Sequence, residues 1–181
     1  MYGLLFLLIT FFPQTEMPFT LQTGDLIFQE SCPGISDDTI KEVTESAGEY
    51  HFTHVGMVWI DENGSPFVIE ATIPEVKITP LDEYLYPESK KECYPVSVVG
   101  RLKEKWQPLI PVAIREAFTH IGKAYDHGYI LNNDSFYCSE LIYEIFLKAN
   151  DGDPVFPLNV MTFKSPLSES SPKVGSAISK N

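Results

Sequence analysis

Two neighbouring segments carry the clearest pattern of apolar and polar positions. Thr53 to Ile60 places Val55, Met57 and Trp59 at every second residue, and Pro66 to Thr72 is almost continuously apolar around a single acid, Glu70. Both read as strands, and the turn-forming stretch Asp61-Glu62-Asn63-Gly64-Ser65 between them makes the pair a hairpin. Thr23 to Gln29 predicts an earlier strand and Val96 to Leu102 a later one. Asp37 to Ala47 predicts a modest helix capped by Ser36. Thr79-Pro80 opens a short helical turn through Tyr86, with proline at the first helical position where its missing N–H costs nothing. Pro108 and Pro111 mark the start of a helix reaching about Ile121, with Val112, Ile114, Ala117, Phe118 and Ile121 as its apolar stripe. A last helix follows the polar run Asn133 to Glu140, its apolar face made by Leu141, Ile142, Ile145 and Phe146. Strands precede the last two helices instead of alternating with them. The fold class is therefore α+β, a small antiparallel sheet packed against helices, and not a doubly wound parallel sheet.

The start of that last helix is the place to look for chemistry. Cys138 falls in or beside its first turn, where backbone N–H groups lack intrahelical acceptors. Those dipoles favour thiolate, and a helix N-terminus or an imidazolium lowers a thiol from about 8.5 by one to several units. The competing reading of a lone cysteine is a small buried packing residue.

A nucleophilic thiol needs a base, and the base needs an orienting partner. His54 leads the first hairpin strand, and Gly56, on the same face, leaves room beside its imidazole. Glu70 lies in an apolar stretch of the second strand, where an unpartnered carboxylate costs several kcal/mol or takes up a proton. Register decides whether the two meet. A two-residue Asn63-Gly64 turn pairs residues whose numbers sum to 127 and sends His54 and Glu70 to opposite faces. A three-residue Glu62-Asn63-Gly64 loop pairs residues summing to 126 and sets Glu70 opposite Gly56, diagonal to His54. Both turns are chemically reasonable, so the residues alone leave this open.

Metal binding is the rival use of the same residue types. His51 and His54 fall on opposite sides of a strand, His120 ends a helix, and His127 lies in a Gly/Asp turn, so no ligand set has recognised spacing. No metal and no cofactor are expected. Ser139 lacks the G-x-S-x-G elbow of a serine nucleophile.

Charge narrows the partners. With 13 basic against 25 acidic residues the chain carries −12, and no Lys/Arg cluster exceeds Lys90-Lys91 or the stretch from Arg101 to Lys105. Nucleic acid and anionic membrane surfaces are poor partners for such a surface. At 181 residues, 44% of them hydrophobic, the chain is sized for one domain. Its three cysteines leave at least one thiol free, and a Cys32–Cys93 disulfide is open if the protein is exported. Export is suggested by the apolar run Gly3 to Phe12, of signal-peptide length. It lacks a preceding Lys or Arg and a following A-x-A site, so an apolar N-terminal strand is the alternative. The expected division is a leader at 1–18, a domain at 19–164 and a disordered Ser/Pro/Lys-rich tail at 165–181.

The motifs GDLIFQ, HVGMV, VIEAT and YCSEL, in that order and with ITPLDEYL and IGKAYD between them, resemble the YiiX/YebB-like group of permuted papain-fold proteins. These are relatives of the NlpC-type cell-wall peptidases and of the lecithin retinol acyltransferase-like enzymes. The resemblance covers roughly Gly24 to Val160. It implies a permuted papain-like fold with Cys138 as nucleophile, His54 as base, Glu70 as third member and Tyr125 as a residue lining the substrate site. The implied activity is a cysteine peptidase or amidase working through a thioester on a small peptide or amide substrate, with cell-wall peptides as the candidates. A lipid-directed thiol acyltransferase or esterase, and a ligand-binding module without turnover, are the alternatives. The insertion from Ser31 to Tyr50 departs from the pattern and is placed to restrict the cleft.

Overall fold

The computed structural model describes residues 19–32, 49–88 and 92–158. The expected leader, the helix over Asp37 to Ala47 and the tail from Ser165 lie outside these residues. Five antiparallel strands run β1 (Leu26–Glu30), β2 (His54–Ile60), β3 (Pro66–Ala71), β4 (Val76–Pro80) and β5 (Val96–Gly100), arranged β4-β3-β2-β1-β5. Among the described residues three helices accompany them: α1 (Leu81–Leu85), α2 (Ile110–Thr119), entered through a 3-10 turn at Glu104–Leu109, and α3 (Cys138–Ala149).

Strand alternation sorts the core into two layers. Leu26, Val55, Met57, Ile69, Ala71 and Val76 share one face and pack on Ala113, Ile114 and Ala117 of α2 and on Leu141, Ile142, Ile145 and Phe146 of α3. Ile27, Val58 and Val68 share the other and are covered by Tyr84 of α1. The four apolar side chains of α3 are worth roughly 6–12 kcal/mol of gross burial. Placing a charge at a helix terminus is worth about 0.3–1 kcal/mol. Packing therefore sets where α3 lies, and the helix dipole only tunes the group at its end.

One feature corrects the reading of the chain. Val76–Pro80 is an edge strand where no strand was expected, and α1 begins at Leu81 with Pro80 as its N-cap instead of its first helical residue. Proline is admissible there because the end of an edge strand need not donate a ladder hydrogen bond. The structure also forms the disulfide that the sequence leaves open, between Cys32 and Cys93, Cα–Cα 6.0 Å, beyond the Glu30↔Val96 end of the β1–β5 ladder.

Asp25, 1% exposed, anchors the start of the sheet. Its carboxylate accepts from Arg101 Nε at 2.7 Å and Nη2 at 2.8 Å, and from the Gln22 N–H at 2.8 Å.

Candidate active site

The β2–β3 hairpin adopts the longer loop. Met57 faces Ile69, Trp59 faces Phe67, and every pair sums to 126. Asp61 explains the choice: its Oδ1 accepts from the N–H of Asn63 at 2.9 Å and of Ser65 at 2.7 Å, while Gly64 takes φ +81°. A side-chain oxygen that satisfies the loop backbone favours this turn over the shorter Asn63-Gly64 one. The register also keeps Glu70 off the face that packs on α2 and α3.

His54 and Glu70 consequently share a face. His54 Nε2 lies 2.6 Å from Glu70 Oε2, with side chains 19% and 7% exposed. Glu70 Oε1 accepts from the Thr79 hydroxyl at 2.5 Å. Burial alone would raise the Glu70 carboxyl, but the His54 hydrogen bond and charge, then Thr79 and Lys77, hold it below its ordinary 4.5. Tyr84 packs its ring 5.8 Å from the imidazole. Burial, with the charges of Glu70 and Cys138, pushes its hydroxyl well above the usual range, so Tyr84 stays neutral.

Cys138 is the first residue of α3, as its sequence position predicts, and follows Tyr137 in extended conformation. Its Sγ lies 4.0 Å from the Thr53 carbonyl oxygen. With Nε2 committed to Glu70, Nδ1 is the imidazole nitrogen left for the sulfur. Burial raises the Cys138 thiol, but the His54 hydrogen bond and charge outweigh it, helped by the Val55 and Ser139 N–H groups. The thiol falls below its ordinary 9.0. Burial opposes charge on His54 too, and is outweighed by the hydrogen bonds to Cys138 and Glu70, which push the imidazole up to about 10. The two shifts run in opposite directions, each partner's charge favouring the other's. The β2–β3 ladder begins at Met57, two residues beyond Val55, so where the strands part the Val55 N–H turns to the sulfur.

The loop leading into α3 is organised by Asp126, whose carboxylate accepts from the N–H groups of Gly128 and Ile130 at 2.7 Å and from Asn133 Nδ2 at 3.1 Å. Tyr125, half-buried, pairs with Phe136 and feels the Cys138 charge. Glu140 is buried in the first turn of α3, where its Oε2 accepts from the Tyr137 N–H at 3.4 Å. Its burial lifts the carboxyl to about 7.

The structure thus brings Cys138, His54 and Glu70 into one line, with Tyr125 beside it. Of the other histidines, His51 and His127 are exposed. His120 is the C-cap of α2, and burial there lowers its pKa against the helix-dipole expectation. Thr79, Tyr84, Asp126 and the Val55 N–H were not identified from sequence. Thr79 and Tyr84 depend on recognising β4, whose Val76-Lys77-Ile78-Thr79 alternation was the available signal.

Comparison with known proteins follows the same line. A family model described as permuted papain-like amidase enzyme, YaeF/YiiX, C92 family, matches residues 20–175. The uncharacterized protein YiiX of Escherichia coli (strain K12) is 34% identical over 129 residues, 71% of this chain and 58% of that protein. A crystal structure of metalloprotein yiiX from Escherichia coli O157:H7 superimposes with a TM-score of 0.54 at 30% identity, covering 71% of this chain and 66% of that one. This chain spans less than two thirds of either relative's length. The metal belongs to the description of that structure. Among the described residues here, no group of three or more His, Cys, Asp or Glu side chains is arranged to hold an ion. The 2.6 Å between His54 Nε2 and Glu70 Oε2 is also too short for an ion with bonds of about 2.0–2.2 Å to each. The donor set does not fit a metal.

Proposed function

Since this chain belongs to the permuted papain-like amidases of the YaeF/YiiX, C92 family, we propose that it is a cysteine hydrolase in which Cys138, His54 and Glu70 form the triad. The observation that carries the reading is the unbroken line from thiol to imidazole to carboxylate, with opposite pKa shifts on Cys138 and His54. His54 holds the thiol proton, and Glu70 fixes the ring and stabilises its charge. The Cys138 thiolate attacks a substrate carbonyl, and the N–H groups of the first turn of α3 face the developing oxyanion. His54 then returns its proton to the leaving amine as the C–N bond breaks. Water, activated by His54, hydrolyses the thioester and restores the thiol.

The substrate is a small peptide or amide, with peptides from the cell wall as the leading class and Tyr125 lining its site. The Cys32–Cys93 disulfide supports an oxidising location, the periplasm or cell envelope.

The test is intact-mass detection of acyl transfer to Cys138 during incubation with a panel of peptide amides and acyl esters. The reading expects a hydroxylamine-labile adduct from amides, lost in Cys138→Ala and formed on the order of 10²–10⁴-fold more slowly in His54→Ala. Adducts from long-chain esters alone would make the enzyme a lipid-directed acyltransferase or esterase. No adduct from any member, with an unreactive Cys138, would leave a binding module.

A further inference from the structure

The Glu70 carboxylate has two oxygens, and both are engaged. Oε2 meets His54 Nε2 at 2.6 Å, and Oε1 accepts from the Thr79 hydroxyl at 2.5 Å. The second contact follows from register. Lys77 lies directly across from Glu70, and Val68 directly across from Thr79. Thr79 is therefore the diagonal neighbour of Glu70 on the same sheet face. It is 3% exposed, so water has little access to its hydroxyl, and its branched Cβ restricts the rotamers that carry it. From this geometry we infer that Thr79 is a positioning residue of the proposed triad: its hydroxyl locks the Glu70 carboxylate in the orientation that presents Oε2 to His54. The inference rests on the triad reading above.

The chain around Thr79 reinforces the lock. It passes through Pro80 directly into α1, which lays Tyr84 against the other side of the pair, ring centroid 5.8 Å from the imidazole. Tyr84 is itself fixed, its hydroxyl donating to the Ile27 carbonyl at 3.0 Å and its carbonyl accepting from Gln29 Nε2 at 2.9 Å. One short stretch thus restrains the carboxylate through Thr79 and the imidazole through Tyr84. Thr79 acts only through Glu70.

The chemical consequence has a definite sign. A hydroxyl that donates to a carboxylate stabilises its charged form, so Thr79 keeps Glu70 ionised to lower pH. While Glu70 is ionised it supports the imidazolium, and the imidazolium supports the thiolate. Removing the hydroxyl raises the Glu70 pKa, and the thiolate is lost at a higher pH.

The experiment measures the rate of Cys138 carboxamidomethylation against pH in the full chain, for the wild type, Thr79→Val, Thr79→Ala, Thr79→Ser, Glu70→Gln and His54→Ala. The low-pH limb is expected to move up by about one unit in Thr79→Val and Thr79→Ala, a roughly tenfold slower reaction at a pH on that limb. Thr79→Ser should return it to the wild-type position. Thr79→Ala carries the test should Thr79→Val fail to fold. If Glu70→Gln shifts the limb while both hydroxyl-free variants follow the wild type, Thr79 is a packing residue and the inference is overturned. A lowered melting temperature with an unmoved limb has the same meaning. If neither Glu70→Gln nor His54→Ala moves the limb, the triad reading itself fails and takes the inference with it.

Discussion

Cys138 is reactive in this account because two opposed effects are resolved in one direction. Burial penalises both a thiolate and an imidazolium, yet each is the hydrogen-bonded counter-charge of the other, and the pair outweighs the penalty. Removing one partner leaves the other to face the penalty alone. His54→Ala is predicted to slow Cys138 alkylation at neutral pH at least tenfold, because the thiol returns to or above its ordinary 9.0. Glu70 adds a stability signature. Its folded pKa is depressed, so its contribution is fully present above its ordinary 4.5 and is lost as pH falls through the lowered folded value. Thermal melts of wild type and Glu70→Gln should differ most above that point and converge on acidification. A gap that widens as pH falls would contradict the pairing.

At the scale of elements, the hairpin loop decides whether there is a site at all. Asp61→Ala removes the side-chain oxygen that satisfies the longer loop and would favour the two-residue Asn63-Gly64 turn and the register summing to 127, which turns Glu70 to the face that packs on α2 and α3 and away from His54. The predicted result is loss of Cys138 activation together with destabilisation; wild-type alkylation in Asp61→Ala would show that this loop choice is not the determinant. Gly56 is the complementary case. A Cβ there would press on the Val68 side chain and meet the Ile69 carbonyl oxygen at 3.2 Å. Gly56→Ala should therefore cost about 1–3 kcal/mol in denaturant unfolding, the usual range for overpacking. These elements also show what the chain disclosed. His54, Glu70 and Cys138 were legible because each sits in a strong local pattern: a strand start, an acid in an apolar run and a loop-to-helix junction. Their meeting was not, since two chemically sound turns give opposite faces and only the Asp61 hydrogen bonds separate them. Thr79 and Tyr84 stayed hidden because the proline at 80 obscured the edge strand before it. The Val55 N–H carries no side-chain signal.

Over the whole molecule, the proposed catalytic line lies where the two faces of the sheet meet. His54, Glu70 and Thr79 belong to the face covered by α1, while Cys138 arrives on a helix packed against the opposite face. The thiol reaches the imidazole where β2 and β3 part. His54 is held by its own ladder to β1, from Leu26↔Met57 to Gln29↔His54. The disulfide closes a sequence separation of 61 residues just beyond the Glu30↔Val96 end of the β1–β5 pair, the same end of the sheet as His54, and typical disulfide contributions are about 2–4 kcal/mol. Cys32→Ser combined with Cys93→Ser should lower unfolding stability by about that amount and leave the pH profile of Cys138 alkylation in place. A shifted profile would mean that the staple helps to hold the site.

In the proposed mechanism Cys138 and His54 form an ion pair at neutral pH. The most direct test is the ultraviolet thiolate absorbance of the wild type minus that of Cys138→Ser, followed through an acid-to-neutral titration and repeated with His54→Ala. A thiolate signal is expected already well below neutrality in the wild type and is expected to be absent at neutral pH when His54 is replaced. A wild-type signal that emerges only near the ordinary thiol value of 9.0, unchanged by His54→Ala, would contradict it.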